Sequence, residues 1–341
     1  MEDIDREIEG NNAVRRPRIF RDRADPFETL NDEQFRLRYR FSRRGFFTLL
    51  ESLEDSITTS DRSCALLPAQ RLAITLQSLA SNTFQLLVAD MAGCSQPTVS
   101  RTIKLVCKAI CDKLDYFVMW PTGEDLIENQ RKFKLLTNIP GIVGCVDGTH
   151  IRIPAPSVDE HIFVNRKSYH SLNVGLACDY DLSFIWISCR FGGSAHDSRV
   201  FRESALHAGL QSGEKKGILL GDSAYRAETY LYKPILNSQN EAEKKYTDAV
   251  CRGRVRIENA IGVLKRQFHS LHSEVRYAPD MASLIITAAV CLRNASISLN
   301  ERPFEDDLGD EDDDDDGYDD PNAPSASGQA AMKYVVQKYF S

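Results

Sequence analysis

No Cys-x-x-Cys pair and no cluster of cysteine with histidine occurs in this chain, and its nine cysteines are scattered without repeated spacing. An odd, irregular set gives no disulfide framework, so a reducing compartment is expected. Long apolar runs are also missing. The longest, Met281 to Leu292, is too short to span a bilayer and is expected to be a buried helix. Met1-Glu2-Asp3-Ile4-Asp5 has neither the basic nor the apolar region of a secretory leader, so a soluble intracellular protein without membrane contact is expected. Internal repeats are absent. Residues 305–320 lack positive charge altogether, holding twelve Asp or Glu and no Lys or Arg. That run disguises the remainder. Of 42 Lys/Arg and 49 Asp/Glu, 40 and 37 lie in residues 1–304, which carry +3 although the whole chain carries −7. Contact with an acidic polymer is therefore admitted.

At 341 residues there is room for about two domains with tails, and 42% hydrophobic content with 16 Phe supplies a sizeable core. Residues 1–34 are charge-rich without apolar periodicity and are expected to form a disordered arm. Its Arg15-Arg16-Pro17-Arg18 reads equally as an import or phosphate-binding patch and as a solvated face. Residues 35–118 read as helical. Pro68 opens a helix through Leu72, Ile74, Leu76 and Leu79, and a second covers about Phe84 to Met91. Ala92-Gly93-Cys94 turns the chain, and Ser95 is placed to cap a third helix that buries Val99, Ile103, Val106 and Ile110. This predicts a helix-turn-helix in which Gln96, Thr98, Arg101 and Lys104 reach nucleic acid, the basic stripe continuing to Lys108. A plain helical bundle with a charged outer face fits the same pattern. Residues 119–140 are expected to be a linker. Over 141–300 strands come first, at Ile142–Val146, His150–Ile153, Ser171–Cys178, Phe184–Arg190 and Ile218–Leu220. Helices follow at Ser198 to Leu210, about Ala249 to Ser270 and Met281 to Leu299, predicting an α/β fold with helices packed on a mixed sheet. Residues 301–341 are expected to be a disordered acidic tail in which Met332 to Phe340 forms a short amphipathic helix for a partner.

Three carboxylates stand in unusual contexts. Asp147 follows Val143 and Cys145 at the strand period and precedes Gly148, which is expected to turn the chain. Asp222 closes the apolar run Ile218-Leu219-Leu220-Gly221. Glu258 borders the helical stripe of Ile257, Ile261, Leu264 and Phe268, with Lys265 and Arg266 turned toward solvent or phosphate and Arg254 one turn earlier, placed to hold Glu258 or grip a phosphate. Acids at the ends of apolar strands are costly unless a cation meets them, and hard oxygen ligands suit Mg²⁺ or Mn²⁺. A pair of such ions would serve phosphodiester cleavage. Asp197, before a predicted helix, reads either as a fourth ligand or as an N-cap. His150 and His196 flank acids and are weaker candidates.

Several segments together resemble the PIF/Harbinger transposases, DDE superfamily endonucleases, and most of all the transposase-derived nucleases of animals. They are Pro140 to His150, Asn165-Arg166-Lys167 with Ser171 to Val174, Gly193 to Phe201, Leu220 to Tyr225 and Ile257 to Phe268. The resemblance covers about residues 35–300. It implies a ribonuclease-H-like core with Asp147, Asp222 and Glu258 as the catalytic, metal-binding triad, Asp197 as a further metal ligand, and hydrolysis of DNA with a divalent cation. It also implies residence in nucleus and cytoplasm, a separate Myb/SANT-like DNA-binding partner, and room for a homo-oligomer. Ala224, Arg226-Ala227 and Arg293 depart from the usual pattern, and none removes a proposed ligand. A catalytically silent nuclear protein that keeps the fold for DNA or partner binding is the alternative, and an RNA-directed nuclease a third.

Overall fold

The computed structural model describes residues 25–59, 65–304 and 325–341. The expectations for residues 1–24 and for the acidic run lie outside these. The helical part comprises α1 (Pro26–Thr29), α2 (Asp32–Tyr39), α3 (Arg43–Ile57), α4 (Pro68–Ser81), α5 (Gln85–Met91), α6 (Gln96–Cys111) and α7 (Leu114–Phe117). Phe46, Leu49, Leu53 and Ile57 of α3 and Val99, Ile103, Val106 and Ile110 of α6 recur every three or four residues and are buried. Phe27 packs at 5.6 Å from Phe35 and 5.3 Å from Phe46, between ring centroids. Residues 25–34 are therefore folded on this core instead of belonging to a disordered arm. Ser95 stands before α6, but its hydroxyl pairs with Thr98 Oγ1 (2.9 Å) and caps no backbone N–H. Pro97 in that first turn has no N–H to satisfy.

The expected linker holds a helix, α8 (Gly123–Thr137). Pro121 and Gly123 mark the approach to its start. Buried Phe133 packs it inward, and Asn129 fastens it, donating to Val143 O (2.8 Å) and accepting from Tyr180 N (3.0 Å).

Five strands follow: β1 (Ile142–Arg152), β2 (Ser171–Cys178), β3 (Phe184–Gly192), β4 (Ile218–Leu220) and β5 (Leu231–Tyr232). Their order is β3-β2-β1-β4-β5, an antiparallel meander of β1 to β3 with β4 and β5 added parallel to β1. The fold is thus mixed α/β. Helices α9 (Glu160–Phe163), α10 (Asp197–Arg202) and α11 (Ala205–Ser212) lie in the connections, and α12 (Glu241–Gln267), a 3-10 turn at His269–Leu271, α13 (Pro279–Ser298) and α14 (Ala326–Tyr339) follow. The single helix expected over Ser198 to Leu210 breaks because Ser204 caps α11, accepting from His207 N (3.1 Å). α13 is long and apolar enough to cross a membrane by composition, yet 67% of its most apolar 18-residue stretch is buried inside the fold, packed on α6 and β3. The tail from residue 325 onward is not disordered. α14 buries Met332, Val335 and Val336, packs on α12 and β5, and is anchored by Ser325 N donating to Ala227 O (3.1 Å). One apolar cluster runs from Phe35 through the sheet to Val336, so helical and sheet parts share a core.

Candidate active site

Parallel pairing of β1 with β4 ends where Cys145 meets Leu220. Asp147 and Asp222 each lie two residues beyond that pair, Asp147 still on β1 and Asp222 in the loop just after β4, so both come to the same end of the parallel pair. β1 does not stop at Asp147, as its polar sequence suggested. It runs on to Arg152, paired with β2. The face of β1 carrying Asp147 also carries Cys145, whose Sγ donates to Gly253 O of α12 (3.1 Å). Asp147 therefore looks toward α12. Gly253 permits that approach, since a Cβ there would collide with Leu220. The next residue, Arg254, places Nη2 3.2 Å from Asp147 Oδ2 and 3.7 Å from Glu258 Oε1.

Asp197 arrives from the other side of β1. It is the first residue of α10, and His196 holds the N-cap position, so the capping role falls away. Its Oδ1 accepts from Asn173 Nδ2 (2.6 Å). Its carboxylate fills the space that a side chain on Gly148 would occupy. Gly148 thus continues the strand and makes room for Asp197; it does not turn the chain. The loop after β4 is shaped by Asp222, whose Oδ1 accepts from Ala224 N (3.0 Å).

Burial separates the acids. Asp222 is 7% exposed and the Asp147 side chain 17%, whereas the Glu258 side chain is 53% exposed at the mouth. Burial pushes the Asp147 carboxyl up to about 7; Arg254 opposes this, while Asp222 and Asp197 add to it. Arg254 feels burial as a penalty, but Asp147, Asp222 and Glu258 together outweigh it and raise its pKa. The Tyr225 phenol is raised by burial first and then by Asp197, Asp147 and Asp222. Asp147 thus feels Asp222 and Asp197, and Arg254 feels Asp147, Asp222 and Glu258.

Among the described residues, no three His, Cys, Asp or Glu side chains are gathered closely enough to hold a metal ion. The donor set is still wholly carboxylate oxygen, the chemistry that suits Mg²⁺ or Mn²⁺. The residue types suit such an ion, although their present positions do not gather three of them round one point. Arg254 now stands between Asp147 and Glu258.

The nucleic-acid candidates divide between two layers. Gln96, Thr98, Arg101 and Lys104 stand on α6, which packs on α3, α4, α5 and α13. Gln96 Nε2 donates to Gln85 Oε1 (2.7 Å) and Thr98 pairs with Ser95, so both are engaged locally. Arg101 and Lys104 are exposed, and Lys108 is bound to Asp112 (2.9 Å). Lys265 lies two turns beyond Glu258 on one face of α12, and Arg266 folds back over Gly262. His150 Nδ1 meets Ser171 Oγ (3.0 Å), and His196 meets Arg166. Sequence reasoning missed Asn173, although an amide inside an otherwise apolar strand was its signal. It missed Tyr225 beneath the acids as well.

Residues 146–294 match the family described as DDE superfamily endonuclease. Over 276 residues, 79% of this chain and 79% of each relative, the chain is 30% identical to the "Putative nuclease HARBI1" of Rattus norvegicus and of Homo sapiens. It is also similar to the "Protein ALP1-like" of Arabidopsis thaliana, at 22% identity over 259 residues, 69% of this chain and 62% of the relative. No solved structure matches significantly.

Proposed function

Because this chain belongs to the Harbinger transposase-derived nuclease family of the DDE endonuclease superfamily, we propose that it is a divalent-metal-dependent endonuclease hydrolysing DNA phosphodiester bonds. The observation that carries the reading is the convergence of Asp147 and Glu258, from a strand and a distant helix, on one buried guanidinium. Asp147, Asp222 and Glu258 would hold the cation, with Asp197 as a further ligand. When bound, Mg²⁺ or Mn²⁺ would activate the attacking water and stabilise the leaving oxygen. The chain's own part is positioning and charge neutralisation, which is most of what phosphoryl transfer asks of a protein. Asp147 stands on β1 and Asp222 just past β4, at the end of the parallel strand pair. Glu258 lies on the open side, where the scissile phosphate enters. Lys265 and Arg266, farther along α12, offset the incoming backbone charge. Arg101 and Lys104 supply exposed positive charge on α6. Base reading by Gln96 and Thr98 would require them to leave their present bonds.

The outward side of α5 favours a protein partner in addition to DNA. Phe84, just before this helix, and Leu86, Leu87 and Met91 on it are 49–65% exposed, a contiguous apolar patch. A separate DNA-binding protein of the Myb/SANT-like kind is the partner that the family resemblance supplies.

The reading is tested by nicking of supercoiled plasmid with Mg²⁺ or Mn²⁺, comparing the wild type with Asp222→Asn. Nicking should fall to background in the variant. Equal nicking by both would remove the assignment. Binding by both without cleavage by either would favour the catalytically silent alternative.

A further inference from the structure

Between α2, α4 and the corner where α12 meets the His269–Leu271 turn lies an open cleft of about 660 Å³. Among the described residues, its walls carry Arg38, Arg40, Arg266, His269 and His272, and no Asp or Glu. Gln34 and Gln77 add neutral donors. Like charges gathered in one concavity repel, and a cleft of one sign focuses its field on ligands of the other. Arg40 also stacks on the Phe304 ring, 4.6 Å from its centroid. Arg38, Arg40 and Arg266 are only half-buried and His272 is exposed.

Arg266 links this cleft to the acids. Its guanidinium lies over Gly262, which is one turn before it on α12 and one turn after Glu258. Glu258 to Arg266 covers about 12 Å of helix axis. At about 3.4 Å of axis per nucleotide of one strand, that is the length of three to four nucleotides. Glu258 at the acids and Arg266 in the cleft wall therefore lie within reach of one short stretch of backbone.

We propose that this cleft is a phosphodiester-backbone track, with Arg38, Arg40 and Arg266 contacting phosphates about three to four nucleotides from the bond placed at the acids. The proposal deepens the nuclease reading and rests on it for the polymer's course. Its test is separate. The full chain carrying Asp222→Asn is titrated by fluorescence anisotropy against a 30-base-pair DNA duplex and the matching RNA duplex, from about 50 to 200 mM salt. Arg38→Gln, Arg266→Gln and the double variant are compared with Arg131→Gln, an exposed arginine paired with Glu128 on α8. Each lost phosphate contact should reduce the slope of log K against log salt by about 0.9. The double variant should therefore lose roughly two in slope and at least about tenfold in affinity near 100 mM salt, with Arg131→Gln unchanged. A loss shared by both duplexes supports a track blind to the sugar, and a loss with one duplex supports the track and identifies its polymer. Unchanged affinity and slope in a double variant with wild-type circular dichroism overturns the proposal. Should the double variant fail to fold, the single variants decide, each expected to lose about 0.9 in slope. Failure of the wild type to nick DNA, with the slope effect intact, would sink the nuclease reading and leave the track standing.

Discussion

Arg254 does for the acids what a bound cation does: it stands between Asp147 and Glu258 and offsets their charge. A guanidinium and a divalent ion at the same oxygens compete, so removal of Arg254 should act oppositely on the metal-free and metal-bound protein. Arg254→Met should lower metal-free stability by on the order of 2 kcal/mol, less than the 3–5 typical of a stranded buried charge because Asp147 can take up a proton. The same variant should bind Mn²⁺ about tenfold more tightly by calorimetry, and Mn²⁺ should raise its melting temperature more than it raises that of the wild type. Equal Mn²⁺ affinity in the two proteins would show that Arg254 does not occupy the ion's place. The local settings of Asp222 and Glu258, an acid closing an apolar strand and an acid beside a helical stripe, are visible in the sequence pattern. The Arg254–Asp147 contact is not, because it depends on which face of α12 meets β1. Asn173 and Gly148 belong to the same class, for their roles exist only once Asp197 lies across the strand.

Among the elements, β1 shows why local reading divided one strand into two. Asp147-Gly148-Thr149 looks like a turn, yet β2 pairs with it throughout, Asp147 opposite Leu176 and Thr149 opposite Val174. Its polar residues serve the site, and β2 supplies the backbone partners that local propensity cannot foresee. β2 and β3 were read more closely because their apolar residues carry the pattern. Their connection holds a second titrating group. Asp179 accepts from Ser183 N (2.8 Å) to close the turn, and burial raises its carboxyl to about 6, with that hydrogen bond opposing the rise. A raised acid binds its proton more tightly in the fold than in the unfolded chain. Its contribution is therefore full below about pH 4 and is lost as pH rises through about 6. Asp179→Asn keeps an acceptor and cannot ionise. Urea melts from pH 4.5 to 7 should show the variant gaining on the wild type with rising pH, by on the order of 2 kcal/mol. Parallel curves would mean that Asp179 titrates as it does in the unfolded chain.

Taken whole, the molecule joins its helical and sheet parts through one core, which the change of texture near residue 140 concealed. Periodicity reports where each element buries its own face, not which neighbour covers it, so from sequence α8 reads as a linker and α14 as a helix for a partner. The two anchors around the acidic run have an electrostatic consequence. On one side Phe304 lies under Arg36 and Arg40, with ring centroids 3.9 and 4.6 Å from the guanidinium carbons. On the other, Ser325 is bonded to Ala227. Twelve negative charges are thus tethered at both ends to a body carrying +3 in residues 1–304, and one anchor shares Arg40 with the basic cleft. Such charge lowers the local concentration of any polyanion near that surface, an effect that added salt screens. Replacing the twelve acids by Asn and Gln should raise affinity for a DNA duplex by on the order of tenfold at 50 mM salt, and the gain should shrink steadily toward 300 mM. Anisotropy titrations of the two chains across that range measure the difference directly. Equal affinities at low salt would show that the run does not influence the surface it is tethered to, and a gain that persists at high salt would point to a specific contact in place of a field.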